Sequence, residues 1–285
     1  MAGAVDLHSH TTASDGTLSP RELARAAARR GVRVLAVTDH DSTEGLAEAM
    51  AEAESLRPLA IVPGIEINCD VEGGEIHVLG YGMDYLAPWF QEFCRAQRAE
   101  RRERIYRMAE RLAELGLPID PAAVFAIVKE GSAGRPHVAQ VMVERGYVKS
   151  VRDAFDRFLA AGKPGHVPRK KLTPEDAVRL LRRAGGVPVF AHPGLTGRDD
   201  LIPGLVRAGL MGIECYYPEH SAARTGSYVE LCRQYALVAT GGSDFHGPRV
   251  RSSQLGDPAI PLAVWDALSA RIAEARAQRP PEPGA

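Results

Sequence analysis

Seven short apolar runs punctuate the chain, at residues 5–7, 32–38, 60–62, 76–79, 187–191, 212–216 and 237–240. Each is too short for a helix and rich in Val, Ile and Leu, as a strand buried on both faces must be. Helical patterns separate most of them, with well-marked ends. Ser19-Pro20-Arg21-Glu22 offers a capping serine, proline at the first helical position and glutamate at the third. Thr173-Pro174-Glu175-Asp176 repeats the design with aspartate at the third position. Gly31 and Gly185 stop these two helices, and a strand follows each glycine. Recurring βα units of this kind predict an α/β fold on a parallel sheet, either open and doubly wound or closed into a barrel.

Residues 95–170 break the rhythm. The spacing predicts one long helix over 95–115, with Ile105, Met108, Leu112 and Leu115 on one stripe and arginines elsewhere. Shorter helices are expected over 121–129, 135–145 and 151–160, and no strand. This reads as a small all-helical insertion. The expected organisation is a barrel or sheet domain from 1–94 and 171–275, the insertion at 95–170, and a frayed tail at 276–285.

Composition excludes other classes. With 45% hydrophobic and 25% charged residues, the 285-residue chain is neither disordered nor a disulfide-stapled miniprotein. A formal net charge of −1 argues against whole-protein attraction to duplex nucleic acid or an anionic membrane. No apolar run reaches the ~20 residues of a membrane helix. The N-terminal residues carry no signal-peptide pattern. Cys69, Cys94, Cys215 and Cys232 are widely spaced with no CxxC pair, so reduced thiols and a cytoplasmic location are expected.

Chemistry gathers where the apolar runs end. Residues 5–7 run into His8-Ser9-His10, with Asp15 following, and residues 32–38 into Asp39-His40-Asp41. Ile61-Val62 leads to Gly64-Ile65-Glu66, and the fourth run contains His77. Ala191 is followed by His192-Pro193, and Thr240 by Gly241-Gly242-Ser243-Asp244-Phe245-His246. The C-terminal ends of strands are where α/β barrels and open sheets build their sites. Taken singly, each histidine is more often structural than a ligand. Together, His8, His10, His40, His77, His192 and His246 would repel one another once protonated. Neutral imidazoles around divalent cations, with Asp15, Glu66 and Asp244, make electrostatic sense of the set. Nine such side chains can support two or three ions. Nitrogen and oxygen ligands without thiolate favour manganese, zinc or iron over copper(I), and disfavour a magnesium-only site.

The stretch Asp6-Leu7-His8-Ser9-His10-Thr11-Thr12-Ala13-Ser14-Asp15-Gly16, then Thr38-Asp39-His40-Asp41, Gly64-Ile65-Glu66, Ala191-His192-Pro193 and Gly242-Ser243-Asp244-Phe245-His246, resembles the PHP (polymerase and histidinol phosphatase) superfamily across most of residues 1–250. The resemblance implies a distorted (β/α)7 barrel with a trinuclear metal centre on its C-terminal rim. Carried over by position, it implies a first site of His8, His10, Glu66 and Asp244. A second would share Glu66 and add His77 and His192, and a third would use Asp15, His40 and His246. Many relatives have histidine where this chain has Asp15. Ser14-Asp15-Gly16, Gly134-Arg135-Pro136-His137 and Gly162-Lys163-Pro164-Gly165 are similar to one branch, the nucleoside 3′,5′-bisphosphate phosphatases that also act as 5′-to-3′ exonucleases on short RNA.

The expected chemistry is metal-assisted hydrolysis of a phosphate ester with no catalytic side chain beyond the ligands, water being activated by the ions. The expected substrate is the 3′-phosphate of a nucleoside 3′,5′-bisphosphate (pAp to AMP) or short RNA. No P-loop or nucleophile elbow supports a covalent or ATP-dependent route. Arg135, His137, Lys163 and Arg169 are the expected substrate-binding residues, with Lys170 and Lys171 adding local positive charge. The arginines of 95–111 read as a solvated helix face paired with Glu100, Glu103 and Glu110. Tyr216, Tyr217 and Phe245 are candidates for base stacking or for core packing. Two other readings stay open, a histidinol-phosphate phosphatase and a non-catalytic metal-dependent interaction module.

Overall fold

The computed structural model describes residues 3–72, 74–128, 131–168, 172–248 and 253–279. Seven strands lie in sequence order in one sheet: β1 (Val5–Asp6), β2 (Val34–Val37), β3 (Ala60–Val71), β4 (Gly74–Tyr81), β5 (Val187–Phe190), β6 (Gly212–Tyr216) and β7 (Val238–Gly241). Backbone bonds from Leu7 N to Gly241 O (3.1 Å) and from His10 N to Phe245 O (2.9 Å) join the two edges, so the sheet closes into a barrel. All seven expected strands are present.

Two features depart from the all-parallel expectation. β4 runs antiparallel to both β3 and β5. β3 also extends to Val71, well past the apolar run at 60–62. The cause is chain length. Too few residues separate Val71 from Gly74 for a crossover helix, which needs a dozen or more, so the two strands must form a hairpin. Reversal also explains how a mid-strand histidine reaches the rim. An antiparallel strand presents its first half where parallel neighbours present their last, and His77 is the fourth residue of β4.

The helix caps are as expected. Ser19 and Glu22 form a capping box on Pro20–Arg29, and Thr173 Oγ1 accepts from Asp176 N at the start of Pro174–Arg183. Gly31 and Gly185 follow with φ of 81° and 71°. Strand alternation then sorts the core. On β2, Val34 and Ala36 face the barrel interior with Val5, Val62, Val187 and Val238, while Leu35 and Val37 pack outward with Leu23, Ala27 and Ala49. Leu262–Ala277 adds Val264, Leu268 and Ile272 to the interior cluster. No described helix is long and apolar enough to cross a membrane.

The insertion has its own core. Ile105, Met108 and Leu112 pack with Val124, Val138, Met142 and Leu159. Its helices are Pro121–Val128, Arg135–Glu144 and Val151–Ala154, the last continuing as a π-helical turn, Phe155–Leu159. Two boundaries move. The long helix begins at Pro88, so Phe90 and Cys94 sit in the barrel-side core while its second half serves the insertion. At the other end, helix continues to Ala277, and Arg279 Nη1 donates to Asp84 Oδ2 at 2.5 Å. The first residues of the expected tail are therefore anchored. Lys129 and residues 280–285 lie outside the described residues.

Candidate metal centre

Glu66 is the hub. It is 1% exposed, and five imidazoles surround its carboxylate. His8 Nε2 and His10 Nε2 are each 3.3 Å from Oε2, and His40 Nδ1 is 2.9 Å from it. His77 Nδ1 and His192 Nε2 lie 2.8 and 3.1 Å from Oε1. Asp244 Oδ1 approaches His10 Nε2 at 3.2 Å and His8 Nε2 at 3.5 Å. Asp15 completes the far side, 3.3 Å from His246 Nε2 and 3.8 Å from His40 Nε2. All nine side chains singled out from the sequence therefore meet in one pocket on the rim.

Local backbone explains the meeting. Ser9 pairs with Phe245 and His40 with Glu66 in isolated bridges just beyond the strands, so the strand ends hold these residues side by side. A Cβ on Gly242 would lie 2.3 Å from the His8 Cβ, so only glycine permits that approach. His192 and Asp244 have φ of 27° and 49°, unusual for residues with a side chain, which is the kind of strain found at functional sites. Asp39 accepts from Thr11 N, Thr11 Oγ1 and Ser14 Oγ, and so shapes the loop that carries Asp15.

The electrostatics are those of a charged pocket closed from water. Burial alone would lower the histidines, but the carboxylates Asp244 and Glu66 hold His10 at about 9, and Glu66 and Glu75 hold His77 at about 10. At His40 burial wins over Glu66 and Asp15, and the ring falls to about 4. Despite their own burial, Glu66 and Asp15 are held well below the usual carboxylate range by the imidazoles around them.

Six atoms here are buried without a hydrogen-bond partner: Nε2 of His8 and His10, Nδ1 of His40 and His192, Oε2 of Glu66 and Oδ1 of Asp15. Each such atom costs about 1–3 kcal/mol unless something satisfies it. Ligand atoms within 4.8 Å of one another group as His10, Asp15, His40 and His246; as His8, His10 and Glu66; and as His40, Glu66 and His77. This donor set fits divalent cations. The grouping differs from the expected one: His10 also joins the Asp15 group and His40 the Glu66–His77 group, while Asp244 and His192 fall in none of the three.

A cleft of about 240 Å³ opens from this pocket toward the insertion. Arg135 lines it, ion-paired with Glu75 and with its guanidinium 5.6 Å from the Phe155 ring centre. Glu75 Oε1 also accepts from Asn68 Nδ2 and lies 3.4 Å from His77 Nε2. The other expected substrate residues fare differently. His137 is buried and its Nδ1 accepts from Gly134 N at 3.1 Å, so that nitrogen caps a helix start and does not face the cleft. Lys163 is exposed and is not among the cleft-lining residues. Arg169, with Lys170 and Lys171, lies outside the described residues.

Two arginines correct the solvated-face reading of the long helix. Arg101 and Arg104 are 7% and 6% exposed and line the cleft. Arg101 donates to Asp41 Oδ2 at 2.7 Å and to Asn68 Oδ1 at 2.5 Å, and Arg104 to Val167 O at 2.7 Å. Arg95 and Arg111 do pair at the surface, with Glu92 and Glu114. Of the aromatic candidates, Tyr216 is half-buried and packs against the barrel clusters. Phe245 and Tyr217 are buried, and the Tyr217 hydroxyl donates to Asp244 Oδ2 at 2.9 Å. Sequence reasoning also missed Glu214, a fully buried acid inside the apolar run 212–216. A lone carboxylate in such a run is itself a signal.

A model of the PHP domain matches residues 6–111. The chain is 36% identical over 279 residues to the 3′,5′-nucleoside bisphosphate phosphatase of Chromobacterium violaceum, covering 94% of this chain and 97% of that protein. It is also 36% identical over 249 residues to the 5′-3′ exoribonuclease Rnm of Escherichia coli, covering 85% of each. Among solved structures, a protein from Bifidobacterium adolescentis assigned as a metal-dependent phosphoesterase superimposes with a TM-score of 0.86 at 30% identity, covering 95% of this chain and 97% of that one.

Proposed function

Because this chain belongs to the PHP domain family, we propose that it is a metal-dependent enzyme removing the 3′-phosphate of nucleoside 3′,5′-bisphosphates, with 5′-to-3′ exonuclease action on short RNA as a second activity. The reaction class is hydrolysis of phosphate esters. The observation that carries the substrate reading is the junction of two features. Imidazoles and carboxylates gather around Glu66, and a cleft lined by Arg101, Arg104 and Arg135 opens beside them.

In this reading His8, His10, Glu66 and Asp244 hold one cation, Glu66, His77 and His192 a second, and Asp15, His40 and His246 a third. Manganese, zinc or iron suits the donors. When bound, such ions supply positive charge that polarises a phosphoryl oxygen and acidifies water. The chain itself does the rest. Glu66 and Asp244 bring the negative charge that keeps several ions together. Burial of most of the ligand side chains limits the access of bulk water and strengthens their charge interactions. Arg135 offers a guanidinium fork to a second phosphate beside the ligands, one carboxylate away from His77, exchanging Glu75 for it. The barrel segments 1–94 and 171–275 thus carry the chemistry and the insertion 95–170 the recognition. The four cysteines are buried and unbridged, which supports a cytoplasmic enzyme.

The test is phosphate release from pAp and histidinol phosphate, and mononucleotide release from a short 5′-phosphorylated RNA, with manganese, zinc and magnesium in turn. The reading expects turnover of pAp well above that of histidinol phosphate, abolished by chelator. Preference for histidinol phosphate would overturn the substrate assignment, and bound metal without any turnover would favour the interaction module.

A further inference from the structure

β6 is the one barrel strand from which the sequence reading drew no ligand, yet it carries a carboxylate that is 0% exposed. Ile213 and Cys215 pack outward with Phe90, Leu205 and Tyr228, so strand alternation turns Glu214 into the barrel interior beneath the ligands. Burying an acid there is costly unless both oxygens are satisfied. They are. Oε1 lies 2.9 Å from His8 Nδ1, and Oε2 accepts from the His192 backbone N–H at 2.8 Å.

Resting on the metal-centre reading above, we propose that Glu214 is a positioning residue that holds His8 and His192 in ligand geometry. A carboxylate only accepts hydrogen bonds, so its His8 partner must carry the proton on Nδ1. That leaves the His8 Nε2 lone pair for the pocket shared with Glu66 and Asp244, where Nε2 sits 3.3 and 3.5 Å from their oxygens without a hydrogen bond. Metal-ligating histidines are oriented in this way by a carboxylate on the other ring nitrogen. The second oxygen acts on backbone. His192 has φ 27°, and the bond to its amide holds that strained turn, aiming a ring whose Nε2 is 3.1 Å from Glu66. One side chain therefore sets two stacked imidazoles that meet different oxygens of Glu66.

The experiment compares zinc binding to wild type and Glu214→Gln by competition with a chromophoric chelator. The amide has one acceptor oxygen for two N–H donors, so one partner is lost. The expected result is zinc affinity weakened about 10–100-fold, with unchanged far-UV circular dichroism of the metal-free protein. Equal affinity would overturn the assignment. Should the variant not fold, imidazole ¹⁵N spectra of zinc-loaded wild type decide. A proton on His8 Nδ1 supports the proposal, and an unprotonated or metal-bound Nδ1 overturns it. Wild-type protein that takes up neither zinc nor manganese contradicts the parent reading and this one together, whereas uptake with an indifferent variant contradicts this one alone.

Discussion

The barrel rim and the helical insertion supplied nine and four candidate residues, and they differ in how those residues are held. On the rim, nine side chains named from the sequence converge within a few ångströms of Glu66 or Asp15. In the insertion, only Arg135 of the three described substrate candidates lines the cleft, and two arginines assigned to solvent, Arg101 and Arg104, line it as well. A rim residue is placed by its strand, since the barrel brings every strand end to the same edge. An insertion residue is placed by how helices pack, and nothing in local sequence fixes that.

The largest expected effect lies at the hub. Replacing Glu66 by Gln leaves five imidazoles sharing a neutral amide. Bound metal falls by at least one ion per chain, and phosphatase activity falls by about three orders of magnitude or more, the scale on which metal catalysis acts. Metal analysis and initial rates on the purified variant check this, and near-normal values would erase the contrast between rim and insertion.

The next effect tests the correction in the long helix. Arg101→Ala removes the cation paired with the buried Asp41 carboxylate, so stability should drop by about 3–5 kcal/mol. Arg95→Ala removes an exposed pair with Glu92 and should change stability by no more than about 0.5 kcal/mol. Urea unfolding of both variants measures the difference. Equal effects would mean that the two helix faces are alike after all.

A smaller effect separates residues within the insertion. Arg135→Ala should raise KM for pAp about 10–100-fold, the weight of a charged hydrogen bond, with a lesser change in kcat. Lys163→Ala should leave KM within about twofold. Steady-state kinetics on both settle which one recognises substrate.

The last is a slope. In the metal-free protein His10 and His77 hold protons up to about 9 and about 10, so a cation arriving at neutral pH must displace them. Affinity should therefore rise with pH, for both protons up to about 9 and for the His77 proton up to about 10, by about tenfold per pH unit for each proton displaced. Titration calorimetry in buffers of different ionisation enthalpy counts those protons, and a flat profile would contradict the sign.

Seven strands and the two capped helices were readable because apolar period, capping serine or threonine, and stopping glycine are local signals. The direction of β4 was harder to see, although the spacing of residues 71–74 forbids a crossover. His77 shows why that mattered little, because reversal of the strand returns it to the rim. Arg101 was misread because an arginine beside glutamates on a helix looks solvated, and its partners Asp41 and Asn68 are far away in sequence. Glu214 was missed, and the bond from Tyr217 to Asp244 went unforeseen, for a related reason. Both residues act on His8, His192 and Asp244 through contacts that only the closed barrel creates.

Elemental analysis of the purified protein, after dialysis against metal-free buffer, tests the central claim most directly. The account predicts two or three transition-metal ions per chain, reduced in Glu66→Gln. A wild-type protein with no stoichiometric metal, and no uptake when manganese or zinc is offered, would contradict it.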